Sequence, residues 1–230
     1  WHSVDELAAS SFVNNVMNLF ILTELGFATG MTPMIGADNG TGNIKGIGIT
    51  VKNGLMTNGI IGGISIILLT IIYFCLDHFG QAPELMPYIK PYFAIIGIAT
   101  LFALGFNVLK QFTDGICRPM ISMTLLMIGN LLNIFGNWVL IYGKLGFPEM
   151  GLTGAGISTL VSRALILLVF VVFIFKSKKM NEYARAFKEA LLSRGEMKTV
   201  FKMGYPVGIQ MALESSTFTF AAVMAGWLGV

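Results

Sequence analysis

Six stretches of this chain are apolar for the length of a membrane crossing, and that pattern leaves few folds open. They run over Phe12–Ile35, Gly54–Leu76, Tyr92–Phe112, Pro119–Tyr142, Leu152–Phe175 and Met203–Gly226. Crossing the hydrocarbon core takes roughly 20 residues at about 1.5 Å rise each. A helix satisfies its own backbone hydrogen bonds in lipid. Barrel strands would instead show alternating segments of about 10 residues, and these runs do not alternate. Charged residues make up 12% of the chain and the hydrophobic set 55%, whereas soluble domains carry about 25% charged residues. The expected fold is an all-α polytopic membrane helical bundle with six transmembrane helices.

Charge sets the expected orientation. Alternate connections hold Lys45, Lys52, Lys110, Arg118, Lys176, Lys178, Lys179, Arg185, Lys188, Arg194, Lys198 and Lys202 on one side, against Lys90 and Lys144 on the other. Cationic loops stay in the cytoplasm, so the first set is cytoplasmic and both Trp1 and Val230 lie outside. The net charge of +3 is then orientation bias, and no nucleic-acid partner is expected. Within 176–202, Met180, Tyr183, Ala184, Phe187, Leu191 and Leu192 recur near helical period. This predicts a basic amphipathic helix on the membrane surface, ended by Gly195. The loops Gly36–Gly46 and Gly143–Gly154 read as turns. Gly59, Gly62, Gly63 and Gly204–Gly208 offer close helix contacts, and Pro33 and Pro206 fall near cytoplasmic helix ends. The N-terminus carries Asp5 and Glu6 without Lys or Arg, unlike a signal peptide, and it does not start with Met, so an earlier segment is expected.

Polar groups at depth are the candidates for function. Asn133 and Asn137, four residues apart, share one helix face. Counted from the outer surface they lie about 14 and 8 Å deep, and Thr159 on the returning helix about 10 Å deep. Their oxygens suit a hard cation such as Na⁺ but include no carboxylate; ordinary interhelical hydrogen bonding is the plainer use. Glu214 sits about 18 Å deep, where a carboxyl must be protonated, paired or facing a wet cavity. Arg163 is its possible partner, or else snorkels, and Gln210 one turn earlier can share its cavity.

Enzyme chemistry is not expected. The chain has no HExxH, Walker A or GxSxG motif. Cys75 and Cys117 are placed on opposite membrane sides, and the histidines, His2 and His78, in loops, so no disulfide, metal centre or cofactor is expected.

Several motifs together resemble the multidrug and toxic compound extrusion (MATE) family: Gln111–Gly115, the run Asn133-Ile134-Phe135-Gly136-Asn137-Trp138, the turn Tyr142–Glu149, Gly154–Thr159, Ala8–Phe12, Thr32–Gly36, and Gly204–Gly208 through to Glu214. The resemblance covers nearly the whole chain. It implies a twelve-helix, two-lobe transporter of which this chain matches helices two to seven. Residues 1–175 are then the amino-terminal lobe without its first helix, 176–202 a cytoplasmic linker, and 203–230 the first helix of the second lobe. It further implies a multi-pass protein of the inner or plasma membrane that exchanges Na⁺ or H⁺ for small-molecule drugs, often cationic. Its partners are the bilayer and the remaining helices of the same polypeptide. By the same token Asn133, Asn137 and Thr159 belong to the amino-terminal cation site. One branch carries aspartate at the Asn137 position; Asn there, with Glu214 present, matches the NorM-like branch, in which the Glu214 position serves cation coupling. The alternative from the same superfamily is a flippase for lipid-linked oligosaccharide or polysaccharide. Holding pyrophosphate calls for several deep Lys or Arg, and only Arg163 is placed at depth.

The charge asymmetry generates a direct test of topology. With single cysteines at Ser177 and Lys144 of a full-length version, an impermeant maleimide applied to intact cells should label position 144 and leave position 177 untouched. Labelling at 177 alone would reverse the orientation.

Overall fold

The computed structural model describes residues 4–80 and 82–228, apart from the side chains at 219, 222, 223 and 225–228. Within them the chain forms eight α-helices: α1 Val4–Thr29, α2 Met31–Gly40, α3 Ile44–Cys75, α4 Met86–Gly115, α5 Pro119–Ile141, α6 Gly151–Lys176, α7 Asn181–Glu189 and α8 Arg194–Leu228. By length and composition Val4–Gly40, Ile44–His78, Pro83–Gly115, Pro119–Ile141 and Gly151–Lys176 can each cross a membrane. The sixth apolar run forms the body of α8, where Gln210, Glu214, Ser215, Ser216 and Thr217 make it more polar than the other five. Residues Trp1, His2 and Val230 lie outside the described residues. Cys75 and Cys117 are both free and exposed.

Local chemistry explains where the helices begin and break. Pro33 has no N–H to offer the Thr29 carbonyl, and the chain turns at Gly30 between α1 and α2. The expected turn over Gly36–Gly46 shrinks to residues 41–43. Asn43 caps α3, its side chain accepting from the Gly46 N–H at 3.0 Å, so the helix starts ten residues before the apolar run. At 32 residues α3 is about 48 Å long. It therefore outruns the ~30 Å hydrocarbon core at the end that carries Lys45 and Lys52.

That projecting end holds the 176–202 linker, which departs from the expected surface helix. α7 stops at Glu189, and Gly195 lies in the first turn of α8 rather than ending a helix. Side chains on α3 cause the break. Lys52 donates to the Ala190 carbonyl at 2.7 Å, Asn53 donates to the Leu191 carbonyl at 3.1 Å, and Asn53 Oδ1 accepts from the Ser193 N–H at 2.8 Å. Ala190 is thereby drawn into an extended conformation, and Leu191 and Leu192 are left exposed. Phe112 of α4 and Phe175 of α6 pack edge-on against Tyr183 and Phe187 of α7.

Two apolar clusters form the interior. One, at the end of the bundle that carries Lys45 and Lys52, gathers Met31, Ile35, Ile47, Val51, Phe106, Phe112 and Phe170 among others. The other, at the opposite end, gathers Phe12, Met17, Leu69, Ile89, Phe93, Ile96 and Leu152 among others. On α1, α3, α4 and α6 the stretch between these clusters carries buried polar side chains: Glu24, Thr57, Asn58, Ser65, Thr100, Ser158 and Ser162.

Glycines decide which helices touch. α1 and α8 run antiparallel in backbone contact: a Cβ on Gly26 would sit 2.7 Å from Gly208 Cα and 2.8 Å from the Val207 carbonyl oxygen. Gly204 lies against the Phe27 carbonyl in the same way. Of the other expected contacts, Gly62 meets Leu104, while Gly59 and Gly63 have open space around them. Because backbone cannot yield, Gly26→Val should destabilise the bundle by at least the ~1–3 kcal/mol typical of overpacking, whereas Gly59→Ala should be silent. Thermal unfolding in detergent compares the two; equal midpoints would show that the α1–α8 approach is not tight.

Candidate functional site

Helices α5 and α6 approach closely because Gly136 leaves room for the Ser158 hydroxyl, Gly129 for Ile166, and Gly154 for the Leu140 carbonyl. This places the polar face of α5 directly on α6. Asn133 Nδ2 lies 3.2 Å from Thr159 Oγ1, 3.3 Å from Ser162 Oγ and 3.5 Å from Ser158 Oγ, while Ser158 returns a bond to the Asn133 carbonyl at 3.0 Å. Asn137 donates to Asn133 Oδ1 at 3.2 Å. Asn133, Asn137 and Thr159 are therefore one connected network, to which the structure adds Ser158 and Ser162.

The network has a direction. Asn133 has its NH₂ turned to the hydroxyls and its oxygen occupied by Asn137. The hydroxyls of Thr159 and Ser162 donate back along α6, to Ala155 at 2.9 Å and Ser158 at 2.7 Å. What remains is Asn137 Oδ1, buried and without a hydrogen-bond partner. A buried carbonyl oxygen left bare costs about 1–3 kcal/mol. The arrangement is a hydrogen-bonded layer with one acceptor open; gathering more oxygens around a cation requires the Asn133 amide to turn.

The layer faces a cavity of about 370 Å³ bounded by α1, α4, α5 and α6. Asn107, Asn130, Asn133, Thr159, Ser162 and Arg163 supply much of its polar lining. Arg163 is half-buried, and its Nη1 has no partner. Lys110 also reaches the cavity, but Asp114 holds it at 2.7 Å.

Glu214 is elsewhere. α8 packs on α1 and α3, and there Glu214 is exposed and accepts a hydrogen bond from Gln210 at 3.0 Å. The helix spacing predicted that neighbour. A pairing of Glu214 with Arg163 does not occur.

Glu24 was not anticipated. It is only 2% exposed, near the middle of the α1 span, and takes a hydrogen bond from Ser65 of α3. The rule that singles out Glu214, an ionisable group at membrane depth, applies equally to Glu24, and the run Phe12–Ile35 contains it plainly. Asn107 and Asn130 were hidden in the same way inside apolar runs.

Residues 1–139 match the family model MatE, more than half of the chain. The chain belongs to the MatE family. Its similarity to the multidrug resistance protein NorM of Photobacterium profundum is 29% identity, over 99% of this chain and 50% of that protein. For NorM of Vibrio cholerae it is 27%, over 99% and 50%. A multidrug resistance MATE transporter of the MOP superfamily, solved in an inward-facing conformation, superposes with a TM-score of 0.83 over 96% of this chain and 49% of that one, at 22% identity. The fold is thus that of MATE transporters, and the chain spans about half the length of the curated relatives it matches.

The α5–α6 layer generates a test that separates ion handling from helix packing. Interhelical hydrogen bonds in membranes are worth about 0.6 kcal/mol each, so Asn133→Ala/Asn137→Ala in the protein at its natural length should insert with at most about a halved yield. Na⁺-dependent protection against unfolding should be lost. Unchanged protection would reduce these residues to helix packing.

Proposed function

We propose that the protein containing this chain is a cation-coupled antiporter that exports organic, often cationic, drugs and other xenobiotics across the cytoplasmic membrane. Membership of the MatE family and relatives named as multidrug resistance proteins support export. The observation that carries the mechanism is the buried, unpartnered Oδ1 of Asn137, bonded through its amide to Asn133 in the wall of a polar cavity. A small cation entering from outside would be drawn to Asn137 Oδ1 and the Thr159 hydroxyl. The Asn133 amide would then turn its oxygen inward and release its donors from α6. That exchange makes the α5–α6 contact sensitive to ion occupancy, and a ligand moves a conformational equilibrium only through such differential contacts.

In this reading residues 1–175 act as the amino-terminal lobe, 176–202 as the cytoplasmic linker and 203–230 as the start of the second lobe. Sites of this kind in inverted-repeat transporters lie near the midplane between halves, and an exposed carboxyl on α8 is suited to face such an interface. Glu214 is the second coupling group: it can bind Na⁺ or H⁺ in turn and so exchange one for the drug. The flippase alternative has one observation in its favour, the unpartnered Nη1 of Arg163 in the cavity. With Lys110 neutralised by Asp114, one free cation among the described residues lining the cavity is a poor match for a pyrophosphate, which is why drug export is preferred.

Glu214→Gln keeps size and hydrogen bonding but cannot change charge. Expressed at natural length, it should insert and fold yet lose ion-driven ethidium efflux to background, while Glu214→Asp retains part of it. Efflux is measured under imposed Na⁺ and H⁺ gradients and normalised to protein in the membrane. Native rates in Glu214→Gln under both gradients would move coupling away from this carboxyl.

A further inference from the structure

A second acid is buried away from the α5–α6 layer and away from Glu214. Glu24 lies on α1 one turn before Phe27, whose carbonyl and ring lie against Gly204 and Gly208 of α8. It is 2% exposed, and Oε1 has no hydrogen-bond partner. Ser65 of α3, itself buried, provides its hydrogen bond.

The charged and titratable groups on every packed element leave the carboxyl without a counter-ion. On α3 the nearest cation along the helix, Lys52, is engaged with the Ala190 carbonyl at the cytoplasmic end. On α4, Lys110 is held by Asp114, and the Tyr92 hydroxyl bonds Asn14 at 3.3 Å. On α6, Arg163 shares a cavity with Ile21 and Leu25 but forms no ion pair with Glu24 among the described residues. On α8, among the described residues, the titratable group past the Gly208 contact is Glu214, an acid, which is turned to Gln210.

An ionised carboxylate with one bare oxygen in such a place carries a desolvation cost that far exceeds that of a neutral hydroxyl lacking a partner. We propose that Glu24 is a proton-binding site, protonated while α1, α3 and α8 are packed as seen here and able to release the proton only when α1 parts from one of them. The ligand is the proton alone: one carboxyl and one serine hydroxyl are too few oxygens for a metal cation. Protonation is thereby tied to the contact between the first five spans and α8. The site is separate from the coupling groups of the proposed antiport, and its test does not depend on that reading.

The experiment is infrared spectroscopy of the protein at its natural length, reconstituted in lipid vesicles and titrated through neutral pH. A protonated-carboxyl band is expected in the native protein at neutral pH, absent in Glu24→Gln and kept in Glu214→Gln. A native spectrum without the band, or a Glu24→Gln spectrum that retains it whole, overturns the assignment. Should Glu24→Gln fail to insert, Ser65→Ala answers the same question: losing the hydroxyl must shift the band, and an unmoved band overturns the site. Stability gives a second reading. A proton bound in the packed state and lost in the open one makes stability fall as pH rises. The unfolding midpoint of the native protein should therefore drop with rising pH through neutrality, and that of Glu24→Gln should drop less. Equal slopes would overturn the link between proton and packing.

Discussion

Polar side chains buried at mid-membrane depth are the constraint on which the rest of this bundle depends. Lipid offers them no partner, so each must find one within the bundle. The chain meets the demand by placing an apolar cluster at each end of the bundle and collecting Glu24, Thr57, Asn58, Ser65, Thr100, Ser158 and Ser162 between them. The two clusters hold the helices together, and the layer between them is where helix contacts consist of exchangeable hydrogen bonds. Most members bond within their own helix: Thr57 to Asn53, Asn58 to Gly54, Thr100 to Gly97. Such bonds satisfy hydroxyl and amide donors without tying one helix to another. Two partnerless acceptors, Glu24 Oε1 and Asn58 Oδ1, belong to this layer.

Close backbone approach then selects the pairs of helices that can communicate. α5 meets α6 through Gly129, Gly136 and Gly154, and α1 meets α8 through Gly26, Gly204 and Gly208. These two seams differ in what they bring together. The first joins neighbours in sequence and packs amides on hydroxyls. The second joins the beginning of the chain to its end, across the linker that α3 clamps with Lys52 and Asn53. A displacement of α8 must therefore act on α1 along the seam and on α3 through the clamp.

Much of this was legible in the residues. Membrane-length apolar runs announced the helices, and the i,i+4 spacing of Asn133 and Asn137, with a short return to Thr159, put three polar groups in one layer. What escaped has physical causes. Apolar runs mark the part of a helix that sits in lipid, so α3 and α4 begin before their runs, where an Asn cap or a proline-bearing first turn takes over. The periodicity of 180–192 suggested one helix, but side chains 138 and 140 residues away in sequence bond the Ala190 and Leu191 carbonyls and the Ser193 N–H, and the helix ends at Glu189. Orientation of side chains was also beyond reach: depth alone paired Glu214 with Arg163, yet α8 and α6 are on different sides of α1 and α4. Glu24 shows the opposite case, an acid visible in its run whose burial only the packing of α1 on α3 and α8 reveals.

The position of the two acids gives the seam between α1 and α8 an electrical asymmetry. Glu214 is exposed on α8 and already has an amide donor, so the packing of α8 on α1 does not enclose it. Glu24 is enclosed, and its charge state is bound to the packing around it. Two like charges approaching along one seam would repel across a medium of low polarity, where Coulomb energies rise several-fold over those in water. The closed seam therefore disfavours charge on the enclosed Glu24, in keeping with the proton site proposed there. On the proposed reading the seam opens only with a change at its enclosed acid, whereas the exposed acid is free of that constraint.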